Sequence, residues 1–243
     1  MAVYGGPEIT TSGLVLYLDA ANKKSYPGTG TTWNDLSPTL TSGTLSSVTF
    51  DSSNKGNLIF DATSDYIVIN DSSIFNFNST FSLSVWIKIN TANLSTIYNI
   101  LSKKASFNNT QKGWSCQLDY RNTGIIHFRN NDGTVAADST QDSTVDNTTL
   151  LNQTSSYKNI VWVVTASPAR VSFYIDGSLR SGPHGITYTN TDTNNNLYIG
   201  KTLGSASDPA PPISLAQICL YNRNLSASEI SNNYKALKGR YGL

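Results

Sequence analysis

The chain contains two glutamates, and they stand at its opposite ends, Glu8 and Glu229. Glycoside cleavage with retention needs two carboxyls about 5–5.5 Å apart, one as nucleophile and one as acid/base. No pair of glutamates shares a strand here, so any such centre would have to be built from aspartates. Asp61 and Asp65 are the nearest candidates, in Phe60-Asp-Ala-Thr-Ser-Asp-Tyr66. They flank a tight turn, where an aspartate oxygen is expected to accept backbone N–H groups. His127 lies in the apolar run Ile125-Ile-His-Phe128, and His184 in Gly182-Pro-His-Gly185, read as a loop. Neither has a serine or cysteine in a nucleophile setting, and Gly-x-Ser-x-Gly is missing. No Cys/His cluster has zinc spacing, and no glycine-rich phosphate loop is present. The residue types thus argue against catalysis.

The elements that must position these groups are strands. Runs rich in Val, Ile, Phe and Tyr recur at 14–19, 44–50, 57–61, 66–70, 81–89, 97–103, 114–120, 124–129, 158–165, 169–175, 178–180, 196–200 and 213–221. Asn, Asp, Gly and Ser punctuate them, which is the pattern of an antiparallel sandwich or barrel. In 81–89, Phe81, Leu83, Val85, Ile87 and Ile89 share one face and Trp86 falls on the other. Asp176-Gly177 marks a hairpin. The stretch from Gly133 to Ser156 lacks periodicity and reads as a long surface loop. The one helix is expected near the end. Ser226 and Glu229 have capping-box spacing, and Ile230, Tyr234 and Leu237 form one apolar stripe. Gly239 is the expected stop.

Composition narrows the partners. Charged residues are 14% of the chain and the net charge is +1, so the electrostatic footprint of a nucleic-acid binder is missing. No apolar run is long enough for membrane insertion as a spanning helix. The start of the chain has neither a basic nor an apolar leader region, so no secretory signal is expected. Cys116 and Cys219 both lie in strand-like runs and read as buried thiols, although sequence alone cannot decide whether they pair.

The closing phrase Tyr221-Asn-Arg-Asn-Leu-Ser-Ala-Ser-Glu-Ile230 resembles the end of laminin-G-like, or concanavalin A-like, lectin/glucanase jelly rolls. Gly13-Leu-Val-Leu-Tyr-Leu-Asp-Ala-Ala21, Thr32-Trp-Asn-Asp-Leu-Ser37 and Leu58 to Val68 resemble that group's opening segments in order. Phe81 to Lys88, Val171 to Gly177 and Leu197 to Gly200 resemble its later ones. The resemblance implies an all-β fold: an antiparallel β-sandwich of jelly-roll type over residues 13–243, with a short C-terminal helix and an N-terminal arm at 1–12. It also implies a carbohydrate-binding surface of loop polar groups and an aromatic platform. Trp114 is the tryptophan expected to be reachable, with Tyr120, Asn122 and Arg129 following it. Relatives of this fold often hold Ca2+ beside the ligand loops, and Asp61 and Asp65 are the metal candidates. The position just before the final strand carries no carboxylate, reading Leu215-Ala-Gln-Ile218, so no resident cofactor is expected.

Residues 13–37 and 236–243 are more narrowly similar to structural proteins of tailed bacteriophages. That similarity implies a non-enzymatic virion protein assembled in the host cytoplasm, either a head decoration or a tail or fibre component. Its partners would be other capsid or tail proteins, cell-surface glycans and further copies of itself as a homo-oligomer. A glycan-cleaving enzyme with an Asp-based site and a free bacterial lectin are the alternatives.

Overall fold

Short runs of β-branched and aromatic residues pair here into two stacked antiparallel sheets. The computed structural model describes residues 8–61, 64–77, 80–91, 96–104, 112–119, 125–131, 141–143, 154–186, 193–201 and 210–243. In chain order the strands are β1 (Leu14–Asp19), β2 (Thr32–Trp33), β3 (Gly43–Ser46), β4 (Thr49–Asp51), β5 (Asn57–Phe60), β6 (Tyr66–Ile69), β7 (Phe81–Ile89) and β8 (Ile97–Lys104). They continue as β9 (Gly113–Asp119), β10 (Ile125–Asn131), β11 (Gln141–Ser143), β12 (Lys158–Ala166), β13 (Ala169–Ile175), β14 (Ser178–Gly185), β15 (Leu197–Ile199) and β16 (Ile213–Tyr221). Helix α1 spans Ala227–Leu237.

The first sheet has the order β14-β13-β12-β7-β16-β5-β4. Strand β16 is long enough to serve two partners on one edge: residues 213–215 pair with β5 and residues 217–221 with β1. The second sheet runs β11-β10-β9-β8-β15-β6-β3-β2. Between them lies one continuous core that includes Phe81, Leu83, Val85, Trp114, Phe128, Trp162, Leu215 and Ile218. Alternation along each strand sends these side chains inward.

Several expectations meet corrections. The run expected at 44–50 breaks at Ser47, whose φ is +59°, so β3 joins the second sheet and β4 the first. The strand expected at 178–180 continues to Gly185, because β13 supplies ladder partners as far as Arg170. His184 is therefore a strand residue, with Nε2 2.6 Å from Ser181 Oγ, and not part of a loop. Most of 133–156 lies outside the described residues, apart from β11 and residues 154–156. Cys116 and Cys219 are free thiols, one in the core and the other on the outer face of the first sheet. Burial pushes both thiols up.

The hairpin at Asp176-Gly177 has φ of +50° and +79°, the double left-handed geometry that Asp-Gly favours. A Cβ on Gly177 would sit 2.9 Å from Tyr234 Cβ, so the turn tucks directly under α1. The helix opens with the expected capping box: Glu229 N donates to Ser226 Oγ (3.3 Å), and Ser226 N donates to Glu229 Oε2 (2.8 Å). It does not stop at Gly239. A 3-10 turn follows over Lys238–Tyr241, and the left-handed residue is Gly242. Trp86, Tyr157, Tyr234 and Tyr241 pack together on the outer face of the first sheet. Residues 8–12 lie beside the helix, where Thr10 N donates to Asn233 Oδ1 and Tyr221 Oη donates to Thr10 O.

Candidate functional site

With helix and terminal turn covering the first sheet, the outer face of the second sheet gathers the unusual chemistry. Along β9, Trp114, Cys116 and Leu118 point to the core, which turns Ser115, Gln117 and Asp119 outward. Register places Ser115 between Ser102 of β8 and Arg129 of β10. It places Gln117 between Asn99 and His127. A bulge in β8 makes this alignment. Ile100 and Leu101 both enter the core, so Asn99 and Ser102 share the outer face although they are three positions apart.

The polar groups are linked but not all satisfied. Gln117 Nε2 donates to Asn99 Oδ1 (2.8 Å) and to Ser115 Oγ (3.0 Å). Gln117 is 1% exposed, yet its Oε1 has no hydrogen-bond partner. Ser102 Oγ and Arg129 Nε are buried in the same condition. His127 Nδ1 stands 3.7 Å from Asp119 Oδ2. A buried polar group left without a bond costs about 1–3 kcal/mol, and here an amide oxygen, a hydroxyl and a guanidinium N–H stand in that state on adjacent strands.

Aromatic rings continue the face. Tyr198 of β15 pairs with Ser102, so one row reads Tyr198, Ser102, Ser115, Arg129 across four strands. At the usual strand spacing that row is about 14 Å long. Tyr66 of β6 lies beside Tyr198, ring centroids 6.1 Å apart, and Lys201 Nζ sits 3.7 Å from the Tyr66 centroid. Burial pushes the Tyr198 phenol up, which keeps it a neutral hydroxyl.

Of the residues expected from sequence, Arg129 is on this face and Trp114 is not. Trp114 is 1% exposed, wedged against Phe77 and Phe81, with Nε1 donating to Phe75 O (3.0 Å). It belongs to the inward set of β9 and cannot stack on a ligand. Tyr120 and Asn122 lie outside the described residues. Tyr66, Tyr198, Asn99 and Gln117 were missed. Alternation around Trp114 could have exposed Gln117, but the cross-strand grouping depends on register and a bulge.

Asp61 and Asp65 behave as a turn. Asp65 Oδ2 accepts the Asp61 N–H at 2.8 Å, and Asp65 is buried while Asp61 is exposed. One carboxylate turned onto backbone and one pointing to solvent do not make a cation cage. No cluster of three or more His, Cys, Asp or Glu occurs among the described residues. Other carboxylates have structural employment as well. Asp35 accepts from Tyr17 N, Ser37 N and Thr41 N. Glu229 is gripped by Arg223 at 2.6 and 3.0 Å, which with the Ser226 bonds holds its carboxyl down to about 2.

A family model described as the concanavalin A-like lectin/glucanases superfamily matches residues 61–231. A search of curated proteins gives no significant match. Among solved structures, Trypanosoma rangeli sialidase in complex with sialic acid superposes with a TM-score of 0.65 at 18% identity, over 99% of this chain and 35% of that one. The binding domain of Paraclostridial Mosquitocidal Protein 1 superposes with a TM-score of 0.66 at 18% identity, over 91% and 52%. The chain spans about a third of the sialidase and about half of the mosquitocidal-protein chain. At these identities the likeness is one of fold.

Proposed function

The chain belongs to the concanavalin A-like lectin/glucanases superfamily, and on that premise we propose that it is a non-enzymatic, glycan-binding protein of a tailed-phage virion surface. The observation that carries the binding role is the trio of unsatisfied buried atoms, Gln117 Oε1, Ser102 Oγ and Arg129 Nε. Gln117 and Ser102 are 1% and 0% exposed, so this acceptor, hydroxyl and charged donor meet vicinal sugar hydroxyls, which both donate and accept, only when their cover gives way. Tyr66 and Tyr198 add ring faces for the apolar side of a pyranose.

Binding without cleavage is supported by the employment of the carboxylates. Glu229 caps a helix, and Asp65 closes the turn that begins at Asp61. The virion role is supported by the two segments that resemble phage structural proteins. They meet in the fold, where Arg240 of the closing segment grips Asp19 of the opening one.

Immunogold electron microscopy on particles of a phage encoding the protein tests the location. Label over the capsid makes it a head decoration, and label on the tail makes it part of the attachment apparatus. Intact particles without label would return the chain to the free lectin. Reducing-end assays on mixed polysaccharides test the chemistry, since release of new ends would make it a glycan-cleaving enzyme.

A further inference from the structure

Lys103 is fully buried on the core-facing side of β8, opposite Trp114. An ammonium in such a place is strongly disfavoured unless it is met by partners. All three of its donors are met. It contacts the Asp71 carboxylate and donates to Thr193 O at 2.8 Å and Asn195 O at 2.7 Å. One carboxylate and two carbonyl oxygens are the donor set of a hard cation.

The oxygens keep their aim through bonds of their own. Asp71 N donates to Asn196 Oδ1 (2.9 Å), and Asn195 N donates to Thr193 Oγ1 (3.0 Å). The Asp71 side chain is 35% exposed, so solvent reaches one side of the cage. We infer that Lys103 is an internal cation: its ammonium fills a three-oxygen site in place of a metal ion, and shortening it opens that site to Ca2+. The carbonyl distances of 2.7 and 2.8 Å suit an ammonium. Ca2+ needs 2.3–2.6 Å and six to eight oxygens. Loop relaxation and entering water supply both once the side chain is gone.

Melting of wild type and Lys103→Ser is compared in CaCl2 and in choline chloride of equal ionic strength. The variant melts below wild type in choline chloride and regains about 5–10 °C at calcium concentrations well above its dissociation constant. Wild type moves by less than about 1 °C between the salts, because its site is already filled. An equal response of the variant to both salts overturns the inference. Should Lys103→Ser fail to fold, calorimetric titration of wild type and Asp71→Asn with CaCl2 decides the matter. Calcium binding by wild type that Asp71→Asn abolishes would mean the cage holds metal with Lys103 in place, and the inference falls. Titrations in which Asp71→Asn removes no binding support it.

Discussion

Arg240 reaches Asp19 across 221 residues of sequence, its Nη1 and Nη2 donating to Oδ1 and Oδ2 at 2.8 and 3.0 Å. Asp19 is 1% exposed and also accepts from Ala21 N and Tyr17 Oη, so the carboxylate is held whether or not the arginine is present. Removing one partner of a buried pair leaves an uncompensated charge, at a cost of about 3–5 kcal/mol. Arg240→Met is expected to lose about that much in urea unfolding. An unchanged midpoint would mean the terminal turn is not part of the cooperative fold.

Tyr241 stacks on Trp86 with centroids 4.5 Å apart, and Tyr234 covers the same indole at 5.6 Å. Together they close the outer face of the first sheet. Tyr241→Ala uncovers Trp86, costs about 3–5 kcal/mol for the lost aromatic, and shifts tryptophan emission to the red. Emission that stays at the wild-type wavelength contradicts this arrangement.

Glu229 gives the acid limb of stability a recognisable part. Its carboxyl is held down to about 2, from 4.5, chiefly by Arg223 and then by Ser226. A carboxyl depressed in the folded state stabilises fully above pH 4.5, and that contribution fades as pH falls towards about 2. Melting temperature against pH should therefore be flatter below pH 4.5 in Glu229→Gln than in wild type. Parallel curves would assign the acid limb to other carboxylates.

Trp114 and the tyrosine pair should separate stability from binding. Trp114→Phe keeps most of the core contact with Phe77 and Phe81 and is expected to leave glycan affinity unchanged. Tyr66→Ala is expected to weaken it about tenfold, as loss of a stacking face worth roughly 1.4 kcal/mol would. The reverse order of effects, read by titration, would move the platform back to Trp114.

The strands of 81–89, 169–175 and 213–221 were readable residue for residue. Each combines strong alternation or an apolar run with abrupt turn residues. The capping box at Ser226 and Glu229 was equally legible, because both partners are local. The tail of β14 was not. Gly182 and Pro183 have poor strand propensity, and pairing with β13 overrides it. The polar outer face of the second sheet was hidden for another reason. Asn99 and Ser102 belong together only through the bulge at Ile100, and Gln117 meets them only through register. Trp114 misled because Lys112-Gly113 before it looks like a loop edge, while its partners at Cys116 and Leu118 already marked it as core.

The proposed glycan binding at the outer face of the second sheet runs through Gln117 and its neighbours. The most direct measurement is calorimetric titration of wild type and Gln117→Leu with a glycan selected on an array. Leucine keeps the volume and removes the unsatisfied Oε1 together with the bonds to Asn99 and Ser115. Wild type is expected to bind and the variant to lose at least tenfold, about 1.4 kcal/mol, with the fold intact by circular dichroism. Equal affinity in both proteins would contradict it.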